Sequence, residues 1–465
     1  MTARGLDEFL QQSPLFAGEV IVLEKTENSE LAQVLLPCNT GFFERVFSVT
    51  GPYWSTYAEL GFGEIPFGAK YLAAVDERMY FCKNVEKRFL FSLGLAKKFS
   101  YKNSVLKETV DFSLDNFFLL LSFPFNFAKQ AASVALASIR INEELEKFEK
   151  FFWKAREFWE TQKKHGIENH ETLAKQALLG AVAAMRFSFY ASIAYSLKTK
   201  LRNSNAWKEC DLEIMSKIPV ENEEYFLEKM QNDFGFYSKN PYDVSIPRFS
   251  ENPRIALDLK GTKFPKNPAA RWRENSKFAC ARYLAVLRNC FIDFGKKTGL
   301  GEKVFFLTPS ELVFMQNDLE KIALQREKES NANTNHDLPK AIVFDGKWDI
   351  DAPVLENGKK EILGLPAGGQ RVAVGEAVFV EKEKDYSKDL AGKIVFSKTL
   401  SPNLCVLFDK IAGIVSEGGG RTAHAAIVAL EQGLPCIVQA KNIGLLKEGD
   451  SVRVDGVTGK IEKIR

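Results

Sequence analysis

A chain of 465 residues, 45% of them hydrophobic, has material for two or three separately cored domains. Its formal net charge of +3 excludes the strongly basic balance of a nucleic-acid-binding surface and gives no sign of a polyanionic one. Seven cysteines (Cys38, Cys82, Cys210, Cys280, Cys290, Cys405, Cys436) make an odd total without a close C-x-x-C pair, and His165, His170, His336 and His424 form no ligand cluster, which excludes a disulfide framework and a zinc site and points to a reducing cytoplasm.

From the N-terminus, Met1-Thr2-Ala3-Arg4-Gly5-Leu6-Asp7-Glu8 has no apolar core behind its positive charge, so no signal peptide is expected. The apolar run 117–128 is too short to span a bilayer and contains Pro124. Residues 127–164 bring Ile139, Ile141, Leu145, Phe148, Phe151, Phe152 and Phe158 round at near-helical spacing among charges, which predicts a long amphipathic helix. Its phenylalanines build a core, although a central helical domain with spare aromatic surface would also receive an apolar substrate. Residues 178–197 are long enough to cross a membrane, but Arg186 at their centre makes that costly and predicts a buried helix instead, with no membrane partner. Arg271, Arg273, Arg282 and Arg288 carry guanidinium groups suited to phosphate, while on a charged helix such residues pair with acids such as Glu274 and Asp293 or face water. Between Gln325 and Lys340 the chain turns polar and reads as a linker over 327–340. Beyond it, Ala341-Ile342-Val343-Phe344-Asp345 and further short alternating runs predict strands between glycine turns. The expected organisation is a mainly α-helical region over 1–326, the linker, and a C-terminal α/β domain over 341–465 that moves on it as a rigid body.

The C-terminal domain holds the most informative segment, Glu417-Gly418-Gly419-Gly420-Arg421-Thr422-Ala423-His424-Ala425-Ala426-Ile427-Val428-Ala429-Leu430-Glu431-Gln432-Gly433-Leu434-Pro435. Thr422 reads as an N-cap, Ala423 to Gln432 as helix, and Gly433 with Pro435 as its stop. His424 then sits in the first turn, where unpaired amides favour an anion and disfavour imidazolium. The ring is expected to be neutral and nucleophilic, and its phosphorylated form to be stabilised. Thr422 caps the helix or orients the ring, and the charge of Arg421 suits a phosphate, though such a side chain is commonly only solvated.

The same segment resembles the phosphohistidine "swivelling" domain of the phosphoenolpyruvate-utilising enzymes, among them phosphoenolpyruvate synthase, pyruvate phosphate dikinase and rifampicin phosphotransferase. Leu363-Gly364-Leu365-Pro366-Ala367 and Gly375-Glu376-Ala377 look like its opening strands, and Lys398-Thr399-Leu400-Ser401-Pro402 like its Thr-x-Ser/Asp-Pro turn. Gly449-Asp450-Ser451-Val452-Arg453-Val454-Asp455-Gly456 with Gly459 resembles its closing hairpin. Further upstream, Arg271-Trp272-Arg273-Glu274-Asn275 through Val304-Phe305-Phe306-Leu307-Thr308-Pro309-Ser310-Glu311-Leu312 is similar to the helical segment before that domain in rifampicin phosphotransferase-like proteins. Asn39-Thr40-Gly41-Phe42-Phe43-Glu44 and Val75-Asp76-Glu77-Arg78-Met79-Tyr80-Phe81 loosely match the start of the middle, substrate-receiving region, but the expected Pro-Leu-Thr-type stretch appears only as Val49-Thr50-Gly51-Pro52-Tyr53-Trp54-Ser55.

The resemblance implies His424 and Thr422 as catalytic residues, Gly418, Gly419, Gly420 and Arg421 as the phosphate-binding set, and no metal held by the chain itself. No counterpart of the family's ATP-grasp domain, nor of its phosphoenolpyruvate-handling barrel, is expected here. The arrangement resembles phenylphosphate synthase, whose nucleotide-binding and phosphohistidine functions lie on separate subunits. It implies a split phosphotransferase component, with ATP and Mg²⁺ brought by a separate ATP-grasp subunit and the phosphoryl group passed to an acceptor, a small molecule included. A phosphocarrier or regulatory protein would use the same histidine without an acceptor pocket, and a scaffold with a retired site would not need it.

Overall fold

In the computed structural model the described residues are 4–464, apart from 27–30, 32–33, 64, 66, 90–95, 103–104, 112–122, 203–209, 261–262, 314–317, 334–338, 340, 350–361, 381–382 and 422. The helices that matter here are α1 (Pro37–Phe47), α2 (Pro52–Glu59), α3 (Phe123–His165), α4 (His170–Ser196), α5 (Pro268–Thr298), α6 (Leu319–Asn333) and α7 (His424–Glu431). The strands are β1 (Ile21–Lys25), β2 (Leu72–Val75), β3 (Arg78–Cys82), β4 (Ala96–Lys102), β5 (Val105–Asp111), β6 (Ala341–Phe344), β7 (Trp348–Asp349), β8 (Ile362–Pro366), β9 (Val372–Phe379), β10 (Ile394–Ser397), β11 (Gly413–Ser416), β12 (Cys436–Lys441), β13 (Ser451–Asp455) and β14 (Lys460–Lys463).

The two long helices expected from periodicity are α3 and α4. Asn169 caps α4 by accepting from the Thr172 amide at 3.0 Å. Among the described residues, α4 is the one helix with the length and apolarity to cross a membrane, yet it packs on α5 inside the helical core. Gly180 permits that packing, since a Cβ there would lie 2.3 Å from the Tyr283 ring. Arg186, at the centre of α4, reaches out to Glu59 at the end of α2 with a two-pronged ion pair of 2.7 and 2.8 Å. Helix α5 is buried along nearly its whole length and is covered by α4 and α3.

Three expectations need correction. The region before the C-terminal domain also contains an antiparallel five-stranded sheet, ordered β2-β3-β1-β6-β7, and a separate β4-β5 hairpin. The β2-β3 turn is built by Asp76 and Glu77 at φ 43° and 60°, left-handed at both positions, without the Asn-Gly or Asp-Gly pair that signals such a turn in sequence. Next, the run 327–333 is no linker, because α6 continues to Asn333. Its polar side chains find partners: Gln325 donates to Glu329 at 2.9 Å, Arg326 clasps Glu311 at 2.8 and 2.9 Å, and Ser330 donates to Glu77 at 2.6 Å. The remainder of the expected linker, 334–340, lies outside the described residues except for Pro339. Last, the strand at Ala341 does not open the C-terminal domain. As β6 it pairs with β1, Leu23 opposite Ile342 and Val22 opposite Val343, where its apolar residues extend the first core.

The C-terminal domain is a closed barrel, ordered β10-β11-β12-β8-β14-β13-β9, whose first strand is β8. One core fills the barrel, with Phe396, Val415, Ile437 and Val452. A second lies between the barrel and α7, with Ala425, Ala426, Val428, Leu404 and Cys436. The helix thereby presents one end to its surroundings while its body is fixed to the sheet.

Candidate phosphohistidine site

Strand β11 delivers the chain into the glycine turn. Gly419 has φ +107°, a conformation L side chains rarely adopt, and a Cβ there would lie 3.0 Å from the Cβ of Leu400. The Gly418 amide donates to the Lys398 carbonyl at 2.8 Å and the Gly419 carbonyl accepts from Gln439 at 3.2 Å, so both glycines anchor the turn to the barrel. Gly420 accepts from the Ala423 amide at 2.9 Å and Arg421 is exposed. Thr422 lies outside the described residues. The expected cap is corrected: Ala423 occupies the N-cap position, with no side-chain bond, and its carbonyl accepts from Ile427 at 3.0 Å to open the helix. His424 is the first residue of α7.

The imidazole is 3% exposed, because it is inserted against the helical region. Nε2 lies 2.8 Å from the Lys263 carbonyl, to which it donates. Nδ1 is 3.5 Å from Oε2 of Glu274 on α5. The Phe264 ring meets the imidazole edge to face at a centroid distance of 6.0 Å, and the Cys405 thiol approaches from the barrel side. Around Glu274, Arg273 stands 3.2 Å away and Lys277 3.1 Å away, each of the three being buried.

Burial, the largest single influence, would lower the pKa of His424, but the Glu274 carboxylate and the Cys405 side chain together outweigh it and raise the pKa. Burial would likewise raise that of Glu274, and Lys277, His424 and Arg273 together hold it well below the usual carboxylate range. The expected neutral ring is therefore corrected for this docked position. The partial positive charge of a helix end is smaller than the full negative charge of a nearby carboxylate. With protons on both nitrogens, imidazolium has no lone pair to offer and is not a nucleophile here.

The four arginines divide. Arg271 pairs with Glu213, Arg282 with Asp211 (2.6 Å through Nη2), and Arg288 with Glu251 at 2.7 and 2.8 Å, all within the helical region. Asp293 instead pairs with His170 at 2.5 Å and Lys297 at 2.8 Å. Arg273 alone of the four joins the His424 site. Sequence reasoning missed Glu274 as a histidine partner, and Lys277, Lys263 and Phe264 altogether. The available signal was Arg273-Glu274-Asn275-Ser276-Lys277, three charges within little more than one turn of a helix otherwise set among apolar residues. Among the described residues no group of three His, Cys, Asp or Glu side chains is placed to hold a metal ion.

A histidine thus opens a barrel-bound helix, is reached through a glycine turn and is lodged against a charged helix of another domain. Residues 390–459 match the family model for the PEP-utilising enzyme, mobile domain, so this part of the chain belongs to that domain family. It is 33% identical over 168 residues to rifampicin phosphotransferase of Bacillus cereus, covering 35% of this chain and 19% of that one. To phosphoenolpyruvate synthase of Pyrococcus furiosus it is 33% identical over 114 residues, 24% of this chain and 14% of that one. An uncharacterised protein of Mycobacterium tuberculosis is 30% identical over 223 residues, 46% of this chain and 25% of that one. The matched stretches thus span a quarter or less of these relatives.

Proposed function

We propose that the chain is the phosphohistidine-carrying component of a split phosphotransferase. The observation that carries this reading is His424 lodged against Glu274, which Arg273 and Lys277 flank in a buried charged cluster on another domain's helix. In the loading step, undocked and neutral His424 attacks a phosphorus of ATP held with Mg²⁺ by a separate ATP-grasp protein. The N–P bond forms at Nε2 as the bond from that phosphorus to the departing nucleotide's oxygen breaks. Gly418, Gly419 and Gly420 keep the turn close and free of side chains, with Thr422 and Arg421 beside the phosphoryl oxygens.

The barrel then docks on α5. The phosphoryl group then takes the place beside Nε2 that the Lys263 carbonyl fills in the unphosphorylated chain, the positive charge of Arg273 and Lys277 favours it, and Glu274 holds the Nδ1 proton, so the ring is a better leaving group. An acceptor hydroxyl oxygen attacks phosphorus, the N–P bond breaks with its electron pair returning to Nε2, and the hydroxyl proton ends on the ring. Imidazolium with Nε2 bonded to the Lys263 carbonyl is the form left after such a delivery. A plain carrier would have no use for a cationic site on its own helical region, which favours the transferase reading over the phosphocarrier one.

The test is loading with ATP labelled at the β- or at the γ-phosphorus by an ATP-grasp protein co-purified from the native cell. An acid-labile, base-stable adduct on the wild-type chain and none on His424→Ala is expected; an adduct of equal yield on the variant places the nucleophile elsewhere.

A further inference from the structure

Helix α7 is held at both ends. Glu431, its last residue, accepts from two successive backbone amides of the helical region, Lys266 at 2.7 Å and Asn267 at 2.6 Å. Asn267 is the N-cap of α5, and its side chain takes the next donors, Ala269 at 2.9 Å and Ala270 at 3.2 Å. The start of α5 is therefore capped jointly, by Asn267 in its own strand of chain and by a carboxylate from the mobile domain. Seven residues separate His424 from Glu431 on α7, and seven separate Asn267 from Glu274 on α5, about 10 Å along either axis. The two helices thus meet antiparallel in a fixed register, His424 beside Glu274 and Glu431 beside Asn267.

Position also matters within α7. A carboxylate at the C-terminal end of a helix faces the negative end of its own macrodipole, an unfavourable placement. The same carboxylate at the N-terminus of α5 meets the positive end. Docking converts the first situation into the second.

We infer that Glu431 is a positioning residue, a clasp that sets the register of the mobile helix on α5 and so brings the His424 ring to the Glu274 cluster. The inference rests on the phosphotransfer reading for its purpose, not for its test. It concerns the placement of the ring, so the unphosphorylated full chain, without partner or acceptor, is sufficient.

Spin labels on Lys296→Cys in the helical region and Val457→Cys on the barrel, both exposed positions, report the docked fraction as a distance distribution. Glu431→Ala is expected to lower the docked-to-undocked ratio about tenfold, the scale of a charge-assisted hydrogen-bond pair partly open to water. Glu431→Gln, which keeps one carbonyl acceptor, recovers part of that loss. Lys266→Pro, which deletes one amide donor from the other side, lowers the ratio too, and adding Glu431→Ala to it costs less than in the wild-type background. An unchanged ratio in Glu431→Ala, or full additivity of the two changes, overturns the clasp. A clasp that behaves as described in a chain that never forms phosphohistidine would sink the transferase reading alone.

Discussion

Replacing Glu274 by Gln keeps the volume and one acceptor of the side chain but removes the charge that sustains imidazolium at His424. Breaking one side of a buried pair costs about 3–5 kcal/mol. Because the released histidine is able to neutralise, the lower end applies, about 3 kcal/mol or roughly a hundredfold in the docking equilibrium. The pH dependence gives a sharper reading than the magnitude. Docking raises the His424 pKa above its ordinary value of 6.5, so the proton-linked part of docking is fully present below that pH and is lost as pH rises through the docked value. Glu274 runs the other way, but Lys277 and Arg273 on its own helix depress its pKa whether or not the barrel is docked, so only the part owed to His424 is linked to docking, and that part is lost as pH falls through the docked value.

The docked-to-undocked ratio of the wild-type chain should therefore be highest on the acid side of neutrality and fall by up to tenfold per pH unit above about 6.5. In Glu274→Gln the fall should flatten, since no carboxylate couples the ring to docking. Double-label distance distributions across pH, read beside a carbon-detected titration of the His424 ring, measure both quantities. A docked fraction in Glu274→Gln that matches wild type, or a wild-type fraction that rises with pH, would refute the argument.

Gly419→Ala forces a left-handed alanine against Leu400 and should destabilise the barrel by about 1–3 kcal/mol, read as a lower denaturant midpoint with an unchanged slope. Lys277→Met should slow delivery from phosphohistidine at least tenfold while leaving loading of His424 intact, which single-turnover chase separates; equal loss of both steps would remove Lys277 from the transfer site. His424→Asn should keep the melting profile and lose the adduct, and an adduct retained at full yield would exclude this histidine. In the swivelling reading the moving body begins at β8, so a label on β6 should keep a single narrow distance to α5 whatever the state of His424. A β6 distance that broadens with the barrel would return the boundary to Ala341.

What the sequence made legible follows local rules. The glycine turn and its histidine, the stop at Gly433 and the closing hairpin depend on residues adjacent in the chain, and the structure carries them as a turn at Gly419, helix α7 and the β13-β14 pair. The misplaced domain boundary had a different cause. Nothing in Ala341-Ile342-Val343-Phe344 says which sheet it joins; that is decided by β1, more than half the chain away, whose Ile21, Val22 and Leu23 lie opposite it. The polar run of α6 reads as linker because its composition buries little, and it becomes helix because Glu311 and Glu77 meet its side chains.

The protonation of His424 belongs to the same class of non-local fact, and it changes the chemistry most. A helix N-terminus considered alone predicts a neutral nucleophile, and the proposed function assigns that form to the ring away from α5. Against Glu274 the same ring is held as a cation with both nitrogens engaged. A side chain whose reactivity is set by a surface it visits has two reactivities, one free and one docked. In the proposed mechanism, travel between two sites does more than carry the histidine: it switches the ring between a form that attacks phosphorus and a form that has already given it up. The acid on α5 is the residue that makes the difference, and Glu274→Gln is accordingly the substitution on which the mechanism stands or falls.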